Sequence, residues 1–251
     1  MIEVKSPREI ERMRRAGQIA ASALAAAGRA VAAGITTREL NRIIHETLVS
    51  HGATPTFLGY NGFPAAACIS VNDQVIHGIP GSRKLQEGDL VKIDVGATWE
   101  GYVGDCANTF PVGAVDDEAA RLIEVTRQSF YEGIQFARAG MRVHDISHGV
   151  QTYVEQQGFS VVRAFVGHGV GAQMHEDPEV PNFGKPGTGA RLCAGMTLAV
   201  EPMVNQGTFQ VNVLDDGWTV KTRDGKLSAH YENSILITQG EPEILTVACE
   251  D

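Results

Sequence analysis

Apolar positions along this chain fall into two patterns: stripes at helical spacing and short runs of strand character. Ile10, Met13, Ile19, Leu24 and Val31 form a loose helical stripe. Ser6-Pro7-Arg8-Glu9 precedes it as a capping box with proline at the first helical position. Gly34 is expected to end this helix. Thr36-Thr37-Arg38-Glu39 starts a second helix, with Leu40, Ile43, Ile44 and Leu48 on its buried face and Gly52 at its end. Residues 53–80 are short apolar pieces broken by Gly59, Gly62, Pro64, Gly78 and Pro80, a composition of loops and strands. Residues 89–96 read as a strand that turns near Glu100-Gly101 and returns over residues 102–110.

The order then recurs. Residues 117–139 are predicted helical up to Gly140, and residues 143–157 up to Gly158. Gly34 to Gly52 and Gly140 to Gly158 both span 18 residues, and a glycine precedes Asp94 and Glu201 by six residues alike (Gly88 and Gly195). Two copies of helix–helix–sheet, each delivering a carboxylate, predict one α/β (α+β) domain over residues 1–251, with two similar halves and the site on their pseudo-twofold axis. Near the end, residues 197–204 read as one strand. Residues 218–222 and 227–238 read as a hairpin around Asp224-Gly225, which would set Trp218 opposite Tyr231.

Composition narrows the class. The 251 residues are 43% hydrophobic and 20% charged, ordinary for a soluble globular protein. A net charge of −9 argues against a large nucleic-acid surface, although Arg8, Arg12, Arg14 and Arg15 make a local basic patch. Cys68, Cys106, Cys193 and Cys249 contain no C-x-x-C pair, which suits a reducing compartment. The start of the chain has no apolar signal core, and the alanine-rich residues 20–33 are interrupted by Arg29 and too short for a bilayer. The expected setting is cytoplasmic, without membrane contact.

The candidate chemistry centres on Gly167-His168-Gly169-Val170-Gly171-Ala172-Gln173-Met174-His175-Glu176-Asp177-Pro178. Glycine on both sides of His168 lets the backbone come close to other groups and presents the imidazole from a turn. Taken alone, these residues read as a surface loop with two incidental histidines. Four acids change that. If Glu100 and Gly101 form a two-residue loop, Gly96 pairs with Asp105, and Asp94 lies one diagonal step away on the same face. Glu201 lies in the apolar run 198–204, and Glu232 stands ahead of Ser234-Ile235-Leu236-Ile237. Each acid alone reads as an exposed strand residue. Together, in apolar strands, they repel one another and call for a cation between them. Carboxylates with an imidazole suit Mn, Fe, Co or Zn rather than a thiolate site. Two ions sharing carboxylates would polarise a carbonyl and provide hydroxide at neutral pH. A nucleophilic triad is disfavoured, because G-x-S-x-G is missing and no cysteine has a catalytic setting. Residues 167–171 are not followed by Lys-Ser or Lys-Thr and do not form a phosphate loop.

The run Val75-Ile76-His77-Gly78-Ile79-Pro80, then Asp94, Gly104-Asp105, Gly167-His168-Gly169-Val170-Gly171, Met174-His175-Glu176, Glu201-Pro202-Met203 and Tyr231-Glu232 resembles type I methionine aminopeptidase over nearly the whole chain. Lacking an N-terminal zinc-binding extension, it is similar to the short bacterial form. The resemblance implies the pita-bread fold and removal of the initiator methionine from nascent proteins whose second residue is small. It implies two divalent ions (Co, Mn, Fe or Zn) held by Asp94, Asp105, His168, Glu201 and Glu232, with Asp105 and Glu232 bridging. Glu201 would also be the general base, and His77 and His175 would contact the substrate around the scissile peptide. The methionine pocket would use Phe57, Tyr60, Phe63, Cys68, Met174 and Trp218. The partners implied are nascent polypeptide N-termini, with the protein acting as a monomer and binding no specific nucleic acid; the sequence leaves open whether the basic first helix meets the ribosome. Phe57, Met174, His230 and Asn233 depart from the family pattern, which more often has cysteine, phenylalanine, glutamine and histidine there. His230 is expected on the strand face of Glu232, beside the ligands. His45, His51, His144 and His148 are expected at the surface. The chain's own start, Met1-Ile2, carries a bulky second residue and is expected to resist such an enzyme. Two alternatives are a metallopeptidase of the same fold that cleaves before proline, usually with an extra N-terminal domain, and a binding relative that has lost catalysis.

Overall fold

The computed structural model describes residues 2–248, so Met1 and Cys249 lie outside the described residues. In chain order the elements are α1 (Pro7–Ala30), α2 (Thr37–Ser50), β1 (Thr54–Pro55), β2 (Cys68–Val71), β3 (Gln74–Ile76), β4 (Leu90–Trp99), β5 (Tyr102–Pro111), α3 (Asp117–Ile134), α4 (Val143–Gln156), β6 (Ser160–Val161), β7 (Gly167–Gly169), β8 (Glu176–Val180), β9 (Thr197–Val200), β10 (Met203–Asn205), β11 (Val211–Val213), β12 (Val220–Thr222), β13 (Ser228–His230), β14 (Glu232–Leu236) and β15 (Glu243–Ile244). The helices begin where local chemistry satisfies free backbone donors. Glu9 accepts from the Ser6 N–H at 2.6 Å. Glu39 accepts from the Thr36 N–H at 2.8 Å, and Asp116 accepts from the Ala119 N–H at 2.7 Å.

Among the described residues, one large sheet runs β1-β4-β5-β14-β9-β7-β8, with β2 also on β4 and β15 also on β14. It mirrors itself about the β5–β14 junction. On one side β4 pairs with β5 and carries β2; on the other, β9 pairs with β14 and carries β7. The helix pairs follow the same division. Core residues of α1 and α2 pack with β2 and β4, and those of α3 and α4 pack with β8, β9 and β14. The two-halved arrangement expected from the glycine spacing is therefore present. Two small three-stranded sheets, β13-β10-β6 and β11-β12-β3, complete the fold.

Several expectations need correction. The predicted strand 197–204 is broken at Glu201-Pro202, since β9 belongs to the large sheet and β10 to a small one. Proline lacks the N–H that would continue the ladder. Residues 218–222 and 227–238 do not form a hairpin. The Asp224-Gly225 turn exists, but β12 pairs with β3 and β11, whereas β13 pairs with β10. The third helix stops at Ile134, before residue 139. There the Ala139 N–H donates to the Thr238 carbonyl, and the chain joins the sheet edge instead. The first helix stops at Ala30, and Gly34 turns with φ +95°. The glycine-rich segment is not a turn: residues 167–169 form the buried strand β7, where glycine permits close approach to the neighbouring strands.

α1 crosses the sheet at a glycine contact. A Cβ on Gly104 would lie 2.3 Å from the Gly17 nitrogen, and one on Gly17 would lie 2.4 Å from the Leu245 oxygen. Side chains alternate along a strand, so Gly104 faces the helices and Asp105 faces away from them. Gly104→Ala is expected to lower stability by about 1–3 kcal/mol through overpacking, read as a lower urea midpoint with an unchanged m-value.

Candidate functional site

Register alone brings the acids together. Asp94 on β4 is opposite Ala107 on β5, which is opposite Glu232 on β14. Two residues along, Gly96 is opposite Asp105, and on the far side Ala199 is opposite His168. The Asn233–Val200 pair sets Glu201 next to Glu232 as the chain leaves β9. Residues opposite one another, or two apart, share a face, so Asp94, Asp105, His168, Glu201 and Glu232 converge on the face away from α1. The two-residue loop at Glu100-Gly101 is present, with φ of 45° and 81°, and it gives the Gly96–Asp105 pairing expected from the sequence.

Between Asp105 and Ser234 the ladder gives way to a side chain. The Ser234 hydroxyl accepts from the Asp105 N–H at 3.0 Å and donates to the Asp105 carbonyl at 2.9 Å. His168 Nδ1 lies 2.8 Å from the Gly169 carbonyl, which places the proton on that nitrogen. Its Nε2, left as an acceptor, stands 3.7 Å from Asp105 Oδ2 and 3.5 Å from Glu201 Oε1. His230 Nε2 stands 3.9 Å from Glu201 Oε2 and 3.8 Å from Glu232 Oε2. His230 and Glu232 belong to different sheets but meet because the chain bends between them at Tyr231.

Burial dominates the electrostatics. It pushes the Asp94, Glu201 and Glu232 carboxyls well above the ordinary range, and Asp105 adds repulsion to each. Burial raises Asp105 itself to about 7, against hydrogen bonds from Glu232 and the Cys106 N–H that lower it. Burial lowers His168 and His77 to about 4 and His230 to about 3, so the imidazoles are neutral near pH 7. Asp94 Oδ1, Asp105 Oδ1, Glu232 Oε1 and both His230 nitrogens are buried without a hydrogen-bond partner among the described residues. Such groups are costly to leave unsatisfied. A divalent cation fits them. Asp105, His168 and Glu232 bring one ligand atom each within 4.8 Å of one another, as do Glu201, His230 and Glu232.

The acids floor a cavity of ≈ 230 Å³ that gathers every residue the sequence nominated: Phe57, Tyr60, Phe63, Cys68, His77, Asp94, Asp105, His168, Met174, His175, Glu201, Trp218 and Glu232. Gly96 makes room for one wall, since a Cβ there would lie 2.6 Å from a Phe57 ring carbon. Trp218 reaches the cavity from the residues before β12, not from a hairpin with β14. Its ring meets Phe63 edge-on at 5.1 Å. Tyr231 turns the other way, onto Phe130 and Tyr131. His175 Nδ1 lies 2.7 Å from the Tyr60 hydroxyl, and its ring is 4.3 Å from that of His168. His77 adopts a left-handed φ of 58° at the end of β3, unusual for a residue with a side chain. Sequence reasoning missed Asn61, which also lines the cavity. It sits at φ 49° before Gly62, and the Asn-Gly pair was the available signal for a left-handed turn there.

The profile of metallopeptidase family M24 matches residues 11–239. A methionine aminopeptidase of Clostridium perfringens is 56% identical over 247 residues, covering 98% of this chain and 99% of that protein. The crystal structure of a methionine aminopeptidase from Thermotoga maritima superposes with a TM-score of 0.96 at 45% identity, covering 98% and 99% of the two chains. A prolidase from Pyrococcus furiosus has a TM-score of 0.79 at 22% identity, covering 98% of this chain and 66% of the other, a likeness of fold alone.

Ions that bind these carboxyls must displace their protons, so affinity falls as pH drops through the raised values, Asp105's at about 7 among them. The rise in Tm given by a saturating divalent ion is expected to grow between about pH 5.5 and about pH 8. A rise independent of pH, measured by differential scanning calorimetry, would contradict binding at these acids.

Proposed function

The chain belongs to the methionine aminopeptidases of metallopeptidase family M24, and from that premise we propose how its cavity removes a methionine from the start of a polypeptide. The activity is hydrolysis of the first peptide bond after an N-terminal methionine, carried on a pita-bread fold. What carries the proposal is one cavity that joins an apolar pocket to a floor of acids whose buried oxygens Asp94 Oδ1, Asp105 Oδ1 and Glu232 Oε1 lack hydrogen-bond partners among the described residues.

Asp94, Asp105, His168, Glu201 and Glu232 would hold two divalent ions. When bound, the ions supply Lewis acidity and lower the pKa of water. Glu201 takes a proton from the attacking water and passes it to the departing amide nitrogen. His175, held at the cavity rim by Tyr60, and the neutral His77 hydrogen-bond the substrate on either side of the scissile bond. Phe57, Tyr60, Phe63, Cys68, Met174 and Trp218 enclose the methionine side chain. Burying such a side chain contributes roughly 1.5–3 kcal/mol, and sulfur contacts with the aromatic rings add to it. The flexible Met174 makes this wall softer than a phenylalanine would. His230 lies against both Glu201 and Glu232 and tunes them from beneath the cavity.

The substrate is the start of a nascent polypeptide, and residues 1–251 act as a single, monomeric catalytic domain. Among the described residues no helix is long and apolar enough to cross a membrane, in keeping with a cytoplasmic role. Contact with the ribosome would fall to exposed Arg8 and its neighbours on α1. Arg14 is engaged by Glu11 and Glu243, and Arg12 by Glu100.

Glu201→Gln keeps a ligand oxygen but cannot accept the proton. It is expected to lower kcat about 10²–10⁴-fold while metal content, read by mass spectrometry, stays near the parent's. In a peptide series Met-X-Ser, cleavage is expected to be efficient for X as Gly, Ala or Ser and poor for Ile or Leu. Peptides led by Leu or Lys and cleaved as fast as those led by Met would refute the pocket assignment.

A further inference from the structure

Lys5 is buried, with only 3% of its side chain exposed, although it stands in the extended segment before α1. Its ammonium pairs with the Glu176 carboxylate, whose side chain is 9% exposed. Glu3, the other acid near this ammonium, is exposed and 3.8 Å away. The metal centre and the pocket use neither Lys5 nor Glu176. Glu176 opens β8, directly after the bend 171–175 that follows His168 and carries Met174 and His175.

The Gly169–Glu176 pair closes the ends of that bend, and Tyr60 meets His175 on it, but few further hydrogen bonds hold it. The Gly171 N–H donates to the Gln173 carbonyl at 3.1 Å, and the Val103 N–H donates to the Gly171 carbonyl at 2.8 Å. Glu176 closes the bend by accepting the Gln173 N–H at 3.0 Å on Oε1 while Oε2 faces Lys5. Gly171 packs against both partners. A Cβ there would lie 2.4 Å from Lys5 Cε and 2.5 Å from Glu176 Oε1. Lys5 is in turn anchored from the other side, where its N–H donates to the Gly195 carbonyl at 2.8 Å. One carboxylate thus ties the bend to the chain's first residues, and a buried ion pair with both groups hydrogen-bonded is geometrically demanding.

We propose that Lys5 is a positioning residue of the peptidase reaction: acting through Glu176 at the start of β8, it fixes the 171–175 bend and so sets His175 against the substrate and Met174 against the pocket. This rests on the functional reading above. Small misplacements of a positioned group are costly for rate. The tie therefore acts on turnover, not on the metal ligands, which lie in the sheet and not on the bend.

The test uses the full chain loaded with cobalt. Lys5→Met, which keeps the apolar stem, is expected to lower kcat for Met-Ala-Ser about 10–100-fold with metal content unchanged, and Lys5→Arg is expected to recover most of the loss. In the His175→Ala background, adding Lys5→Met should change kcat less than about threefold, because residues acting through one another are not additive. Penalties that multiply in full would overturn the proposal. Glu176→Gln, which retains an acceptor for Gln173 but not the charge, gives the same readouts if Lys5→Met does not fold. Imidazole NMR decides the matter independently of turnover. On the zinc-loaded protein, the His175 ring signals should shift or broaden in Lys5→Met while those of His77 stay in place. A folded Lys5→Met protein with an unmoved His175 signal refutes the inference. A parent that fails to cleave Met-Ala-Ser refutes the functional reading and leaves the spectra to judge the tie.

Discussion

Four carboxylates facing one another in a buried cluster are the constraint around which this molecule is built. Asp94, Asp105, Glu201 and Glu232 cannot all ionise there without a counter-charge, and burial accordingly pushes every one of them upward. The neighbouring histidines do not provide that charge, since the same burial holds His168 and His230 neutral. A protein with such a cluster gives up stability in the metal-free state and recovers it by binding. The surroundings fit that bargain. Ser234 satisfies the Asp105 backbone, Gly169 fixes the His168 ring, and the carboxylate oxygens are left for an ion.

Much of this was legible in the sequence because strands have period two. A two-residue loop at Glu100-Gly101 was enough to place Asp94 and Asp105 on one face, and the register obeys it. The repeated glycine spacing anticipated the mirrored halves, and the family resemblance supplied the remaining ligands and the pocket, all of which line one cavity. Legibility failed where a strand changes sheets. Residues 197–204 and 227–238 each look continuous, yet each is broken beside one of the clustered acids, at Pro202 and at Tyr231. The two breaks are joined, since the Tyr231 N–H donates to the Pro202 carbonyl at 3.2 Å. A local pattern reports periodicity and not partner choice. The turn at Asp224-Gly225 was therefore read correctly as a turn and wrongly as a hairpin. Trp218 reached the pocket all the same, by packing on Phe63 from another sheet. Lys5 gave no signal, because a lysine near the start of a chain reads as solvated unless its distant partner is known.

Glycine does two different jobs at the site. At Gly96 on β4 it leaves the volume that Phe57 fills beside Asp105, and at Gly104 on the neighbouring β5 it lets α1 lie close against the opposite face of the sheet. Asp105 is thus backed by a helix and flanked by a pocket wall within two consecutive pairs of β4 and β5. A carboxylate so supported has little freedom to reorient, which is what holding an ion at fixed geometry would require.

The β5–β14 ladder that joins the halves is two residue pairs long, 106–107 with 232–233, before the Ser234 hydroxyl takes over. Asp94 and Asp105 belong to one leaf of the molecule, and His168, Glu201 and Glu232 to the other. An ion held by residues of both leaves would therefore work as a rivet through the line where they meet, joining two plates that are each incomplete. Neither leaf holds a usable site by itself, so an ancestor made of one leaf would have had to pair with a copy of itself before it could grip the same metal.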